Sequence, residues 1–500
     1  MSMTPIAVSG VVVTWLVLVT AAYGALRHLG LLALTGSAFA EARVYRRRRA
    51  FAAYDESFGD PLARGVSLVV AVRDRADDVV DLVRSMTSLR YPEFDLVVVD
   101  DGSEDGTATV LVEALGLREV PVTGSGALMV RAPVTACWHG RRGGVGVTLL
   151  RKEAAGLADA WNAGADVARH PLCVVVDAQV TLDPDALLHV ARPFADDPQR
   201  MVATTGVVRV LNGCTVRGGR VTEVAMPRRW IERVQVVDYL QGFLVDRAGW
   251  SSLGALPRLA PEIAAFRRDR LREVGGWRSD LAQPHVELVA RLHRWAGDNG
   301  RAARLVFVTE PVAWVPVAAD RAGAIAASAR EQAGVATALR HHARLLGRSR
   351  YGAAGLLSYP WLLVFSLLSP VVELVAMTLS AVVLGVTALR VAGVEVDAAL
   401  PGWGALVLLA LSWPVAGVLL GWATLLVDEL SLSRYTGVRD LLAALWGVVL
   451  LHTVWRWLTT LPRLRTTWSI LAGGAQAGRL GDPRRDCHTG ESAPVHAHRR

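Results

Sequence analysis

The chain has 500 residues, 52% of them hydrophobic and 20% charged, with a formal net charge of +8. That apolar share is high for a soluble protein and gathers toward the two ends, which excludes a plain soluble domain. The positive charge rests on arginine, Lys152 being the only lysine, and no basic stripe interleaved with aromatics runs through the middle, which argues against nucleic acid as a partner.

In chain order, residues 7–25 form an uncharged apolar run of membrane-spanning length. No small-residue cleavage site clearly follows it, so residues 1–40 read as a retained anchor. The basic block at 43–49 places the middle of the chain on the cytoplasmic side by the positive-inside rule. From 41 to 350 the pattern alternates in α/β fashion. Strands are expected at 66–72, 95–99, 147–150, 172–177 and 202–210, and helices at 76–89, 105–115, 153–169 and 183–194. Asp183 followed by Pro184 reads as a helix cap with proline at the first helical position. Residues 124–146, rich in glycine and arginine, read as irregular. Cys137, Cys173, Cys214 and Cys487 are scattered without a CxxC pair and read as reduced thiols.

Between 351 and 465 three apolar runs, 361–392, 404–427 and 441–461, are long enough to span. The acidic loop 393–403 suits the outside, and the loop 428–440, with Arg434 and Arg439, suits the inside. Residues 354–372 are either an extra short span or an interfacial helix, which decides the side of the tail. The tail, 466–500, reads as flexible.

Chemistry concentrates at strand ends. Residues 95–107, DLVVVDDGSEDGT, are a β-branched run that stops at two aspartates, a glycine and a serine before a helix start. A buried parallel strand opening into a ligand-binding turn has this pattern. Residues 172–179, LCVVVDAQ, repeat it, with Asp177 at the strand end. One such aspartate is often only a turn former. Two in one sheet point to a shared crevice at Asp100, Asp101 and Asp177, where carboxylates suit a nucleobase N–H, a ribose hydroxyl or a metal.

RKEAAGLADAWNAG, YLQGFLVDR, FRRDRLREVGGW, VELVARLHRW and TEPVAWVPV follow in order. With these blocks and its membrane segments, the chain resembles a family 2 glycosyltransferase: membrane-integrated, with a GT-A nucleotide-sugar fold, similar to polysaccharide synthases and to relatives that glycosylate lipids. The resemblance implies a plasma-membrane, multi-pass protein with its main domain in the cytoplasm. It implies a nucleotide-sugar donor held by Asp74, Asp100, Asp101 and Ser103. It also implies Mg²⁺ or Mn²⁺ at the DxD position, an acceptor side that includes Gln241 and Arg330, and inverting transfer assisted by a carboxylate base.

The sequence departs from the family where substrates are touched. The DxD position reads Asp177 and Gln179, whose neutral amide weakens a metal site. The family's Glu-Asp pair reads Pro284 and His285, with Glu287 downstream, so His285 and Glu287 are the remaining base candidates. A lone histidine is also commonly a satisfied side chain. The Gln-Arg-x-Arg-Trp motif falls on 327–331, ASARE, which keeps Arg330 but puts Glu331 where an aromatic platform would stand. The GAF segment is Pro261, Glu262 and Ile263, and the NGGKA segment has no lysine. A shift of one or two residues in the motif alignment brings Glu262 or Asp280 into the catalytic set. Retained residues are mostly those that build the sheet, and replaced ones mostly those that touch metal, donor or acceptor. The sequence therefore leads us to expect a nucleotide-sugar-binding pseudo-glycosyltransferase of cell-envelope glycan or glycolipid synthesis. The alternatives are an active inverting transferase with a non-standard base, and a membrane scaffold for a catalytically complete synthase partner.

Overall fold

The computed structural model describes residues 5–51, 64–281, 283–394, 402–432 and 437–472. The tail beyond 472, Cys487, Arg434 and most of the loop 393–403 lie outside the described residues.

The central strand β1 (Val66–Val72), VSLVVAV, is buried at every position because both of its faces are covered, as a parallel strand in an α/β sheet requires. It lies between β2 (Phe94–Asp101) and β6 (Leu172–Asp177), parallel to both. β5 (Val145–Lys152) extends the parallel set beyond β2. With β3 (Arg118–Glu119), β4 (Val134–Arg142), β7 (Thr181–Leu182), β8 (Met201–Val210), β11 (Ile263–Arg267) and β12 (Arg304–Val315), they form a ten-stranded sheet ordered β3-β4-β5-β2-β1-β6-β11-β8-β12-β7. β9 (Thr215–Arg217) and β10 (Arg220–Glu223) make a separate hairpin. β11 runs antiparallel between β6 and β8, which makes the sheet mixed.

One face is covered by α4 (Leu157–Val167), which is almost wholly buried. A Cβ on Gly164 would stand 2.3 Å from Val69 and 3.0 Å from Val99, so only glycine allows this helix to rest on β1 and β2. The other domain helices used below are α2 (Val79–Thr87), α3 (Thr107–Leu115), α5 (Ala186–Asp196), α6 (Trp230–Gln241), α7 (Arg268–Glu273), α8 (Pro284–Asp298) and α9 (Arg321–His341).

The expected strands are all present. The region 124–146 is a correction, because its second half is β4, paired antiparallel with β5. β4 is only half buried, so its polar residues hid the period, and Gly143 and Gly144 at φ 54° and 88° close the hairpin. Helix starts also shift inward. Residues 153–156 are held out of α4 because Ala155 and Gly156 donate their N–H groups to Asp101. Near α5, Asp183 accepts from Asp185 N at 3.2 Å and forms a turn before the helix, so Asp185 precedes its first residue instead.

Among the described residues, four helices are long and apolar enough to cross a membrane: Val11–Ala40, Ser369–Val391, Trp403–Leu426 and Val438–Leu471. The first belongs to α1 (Pro5–Phe51), which is longer than the apolar run at 7–25 and continues past the anchor expected at 1–40. The doubtful stretch 354–372 contains a shorter apolar helix, Ala354–Leu367. The domain touches the spans closely. Gly249 lies against the Leu34 backbone, and Arg209 of β8 forms a buried 2.5 Å ion pair with Asp428 at the end of the third span.

Candidate functional site

Parallel pairing brings the carboxyl ends of β1, β2 and β6 to one edge. Ala71 of β1 stands level with Val99 on one side and Asp177 on the other, with Asp100 one residue further along. Asp100 and Asp177 are thus on strands two places apart, about 10 Å between strand axes. Two of the three strand-end aspartates thus stand along one edge of the sheet.

Around Asp100 the turn is tightly tied. Its Oδ1 accepts the Ser103 backbone N–H at 3.0 Å and also the Ser103 hydroxyl. That hydroxyl oxygen in turn accepts the Asp74 N–H at 2.9 Å, and Asp74 Oδ1 accepts from Glu104 N at 2.9 Å. Asp74, Asp100 and Ser103 therefore come together. Asp74 is at φ 50°, the left-handed region that a non-glycine residue adopts when its surroundings impose it. Asp100 is fully buried, and its Oδ2 has no hydrogen-bond partner among the described residues. Burial raises its pKa, with the Ser103 bonds opposing the shift. An unpartnered buried oxygen is costly, and it offers an acceptor for a ligand N–H or O–H.

Asp101 is different, which corrects its assignment to the nucleotide. It is buried and accepts from Lys152 Nζ at 3.0 Å, Ala155 N at 3.0 Å and Gly156 N at 2.9 Å. Lys152 also meets Asp159 at 3.0 Å and the Glu153 carbonyl at 2.7 Å. Asp159 accepts from Arg131 N and Ala132 N. The sole lysine and two aspartates thus fasten the loop before α4 to β2. Its singularity among arginines was the clue available in the sequence.

At the metal position, Asp177 Oδ1 accepts from Gln179 N at 2.9 Å and Gln179 is exposed. Among the described residues no group of three or more His, Cys, Asp or Glu side chains could hold a metal ion. Mg²⁺ is ordinarily held by one or two carboxylates, with water and substrate phosphates completing its shell. Asp177, with the neutral Gln179 amide beside it, would supply the protein's share of such a site weakly, and the described residues build no all-protein cage.

Both base candidates are sealed. His285, in the first turn of α8, packs against Trp161 (ring centroids 4.5 Å apart) and Trp277 (6.2 Å), whose own rings are 5.7 Å apart, with no partner for either ring nitrogen among the described residues. Burial pushes its pKa down to about 3, so it is a neutral core residue and not a base poised near neutral pH. Glu287 is buried and held by Arg291 at 2.8 and 3.1 Å and by His342 Nε2 at 2.9 Å. Burial alone would raise its pKa, but His342 and Arg291 outweigh it and lower it. Glu287 joins α8 to the end of α9 and is not free to take a proton. Asp280 is engaged by Arg278 at 2.6 Å.

The acceptor-side residues lie apart from the nucleotide edge. Gln241 ends α6 and contacts His452 of the last span at 3.3 Å. Arg330 is half-buried on α9. The neighbouring Glu331 is ion-paired to Arg258 at 2.5 Å, and Arg258 also binds Asp246 at 2.6 Å. Glu262 emerges here with more weight than the motif alignment gave it. Its backbone carbonyl accepts the Asp177 N–H at 3.1 Å, which ties it to the end of β6. Its Oε1 accepts from Tyr239 at 3.1 Å, its Oε2 has no partner, and burial raises its pKa. Only the motif shift pointed to Glu262 beforehand, because the Tyr239 contact comes from a different element.

No family model matches the chain. It is 23% identical over 229 residues to the poly-beta-1,6-N-acetyl-D-glucosamine synthase of Staphylococcus epidermidis, 46% of each protein. It is 19% identical over the same length to the synthase of that name from Staphylococcus aureus (strain MSSA476). The chain spans about half the length of these curated relatives. Among solved structures, the mannosyltransferase PcManGT from Pyrobaculum calidifontis, in complex with GDP-Man and Mn²⁺, matches 86% of this chain and 99% of its own at 17% identity and a TM-score of 0.45. S. aureus TarS matches 56% and 43% at 14% identity and a TM-score of 0.32. The chain is thus similar over 229 residues to named polysaccharide synthases and, among its described residues, carries four helices suited to a membrane.

Proposed function

We propose that this membrane glycosyltransferase-like protein binds a nucleotide sugar in cell-envelope glycan or glycolipid synthesis, with transfer by the family's route impaired. The observation that carries the reading is the contrast between the two ends of the site. Asp100 keeps a buried, unpartnered oxygen at the nucleotide edge, while the base position is filled by Pro284 and a sealed His285. The synthase relatives support placing the binding in polysaccharide synthesis. In this reading the main domain is cytoplasmic, in the plasma membrane, and the chain acts as a scaffold beside a catalytically complete synthase.

The test is binding and turnover on the full chain in lipid nanodiscs. Nucleoside diphosphates and nucleotide sugars are expected to bind with or without Mg²⁺ or Mn²⁺, and Asp100→Asn to weaken binding by about tenfold, one hydrogen-bonded contact to a charged group. Diphosphate release above the protein-free rate, across a panel of donors, would overturn the impaired-transfer reading.

The unpartnered Glu262 oxygen beside β6 favours a second reading, an active transferase in which Glu262 takes the acceptor proton. Release that vanishes in Glu262→Gln while nucleotide binding persists would select it.

A further inference from the structure

The end of β6 has a second carboxylate beside it. β11 pairs antiparallel with β6 so that Ile263 stands level with Val176, and Glu262, the residue before β11, follows level with Asp177. The Glu262 carbonyl accepts the Asp177 N–H at 3.1 Å, which carries this register to the strand end. Thr205 of β8 holds the same segment from its other side. Its hydroxyl donates to the Ile263 carbonyl at 2.7 Å and accepts the Ala260 N–H at 3.3 Å. Residues directly opposite on antiparallel strands project from one face of a sheet with Cβ atoms about 4.5–5.5 Å apart. Asp177 and Glu262 are therefore neighbours on one face, along the edge that also carries Asp100.

Their oxygens are not all engaged. Asp177 Oδ1 accepts from Gln179 N, and Glu262 Oε1 accepts from the Tyr239 hydroxyl at 3.1 Å. Glu262 is only 7% exposed, and its Oε2 is buried without a hydrogen-bond partner among the described residues. Arg247, whose charge acts on Glu262, donates its Nη1 to the Gly242 carbonyl at 3.0 Å and lies over the Phe243 ring. Like charges directly opposite each other destabilise a sheet, and an unpartnered buried carboxylate oxygen is costly. A cation between the two carboxylates would relieve both.

We propose that Asp177 and Glu262 form a divalent-cation site, in which Glu262 supplies from the neighbouring strand the second charged ligand that Gln179 is not. Mg²⁺ sits about 2.1 Å from its oxygen ligands, and one or two carboxylates are its ordinary protein share, with water or a ligand phosphate completing the shell. The Tyr239 hydroxyl and the backbone bond between the strands hold the Glu262 side chain and its segment in place for this role. The site stands whether or not the domain transfers sugar. A Glu262 that binds a cation is not free to take an acceptor proton, so metal binding separates this role from the base role of the active-transferase reading.

The full chain in phosphatidylcholine nanodiscs would be titrated with Mn²⁺ alone, without nucleotide, following the free ion by electron paramagnetic resonance against empty discs. The wild-type chain should take up Mn²⁺ that empty discs do not. Glu262→Gln, which keeps an acceptor for Tyr239, should weaken this uptake about tenfold or more, as should Asp177→Asn, while Gln179→Ala should change it less than about threefold. No uptake by the wild-type chain beyond that of empty discs, or equal affinity in wild type and Glu262→Gln, would overturn the site. Loss confined to Gln179→Ala would overturn it too, by returning the ion to the Asp177–Gln179 pair. The wild-type titration can refute the site even if a variant does not fold.

Discussion

A neutral imidazole packed against two touching indoles makes folding sensitive to acid. The unfolded His285 side chain titrates near ~6.5 and the folded one near about 3. Between those values the unfolded chain binds a proton that the folded chain does not, so this contribution is full above pH 6.5 and is lost as pH falls toward 3. Going from pH 7.5 to pH 5 should cost about 2 kcal/mol of stability, and His285→Leu should remove that slope. Thermal melts of both forms at the two pH values check it, and equal slopes would refute it. At this scale the sequence was informative about residue type and silent about partner. Asp100 and Asp177 were legible because a strand end fixes where they point. Asp101, His285 and Glu287 were not, because Lys152, Trp161 and His342 come from other segments and only folding brings them in, Arg291 alone being a neighbour of Glu287 on the same helix.

Among the elements, the junction of β2, the loop 153–156 and α4 depends on Lys152 sitting between Asp101 and Asp159. Removing the cation leaves two buried carboxylates facing each other. Lys152→Met should therefore destabilise the domain by about 3–5 kcal/mol, whereas hydrophobic replacement of the entire triad should cost far less. Chemical denaturation of the two variants distinguishes these outcomes, and a Lys152→Met domain of wild-type stability would contradict the junction. The central strands were readable because they are apolar on both faces. β4 escaped because a half-exposed strand flanked on its outer side only by the two-residue β3 carries arginines and glycines that resemble a loop. Helix starts moved because the side chains of Asp101, Asp105 and Asp183 capture backbone N–H groups that would otherwise have begun the helix sooner.

For the molecule as a unit, the sheet and the membrane helices are joined by more than apolar contact. Arg209, at the buried end of β8, meets Asp428 beyond the third span, and Asp440 accepts the Met226 N–H at 3.1 Å. Arg209→Met should leave Asp428 without this partner, cost about 3 kcal/mol, and loosen the domain from the helices before either unfolds. Limited proteolysis in nanodiscs should then cut the domain faster while the spans stay protected. Unchanged cleavage would show that the tie is dispensable. The four spans were legible from composition alone, though not their lengths, since α1 continues well beyond the apolar run that announces it.

Lys152 has one more consequence, in protein chemistry. Its amine is the only lysine amine in the chain and is fully buried in an ion-paired junction. Acylating reagents aimed at lysine should therefore find nothing in the folded protein apart from the terminal amine. Each opening of the β2–α4 junction exposes one nucleophile, so the mass gain of a single acyl group marks a molecule in which the junction has opened. When closing outpaces acylation, the labelling rate reads the equilibrium between closed and open forms. The chain thus carries an intrinsic, single-site reporter of its own unfolding that can be used inside a membrane without adding a probe.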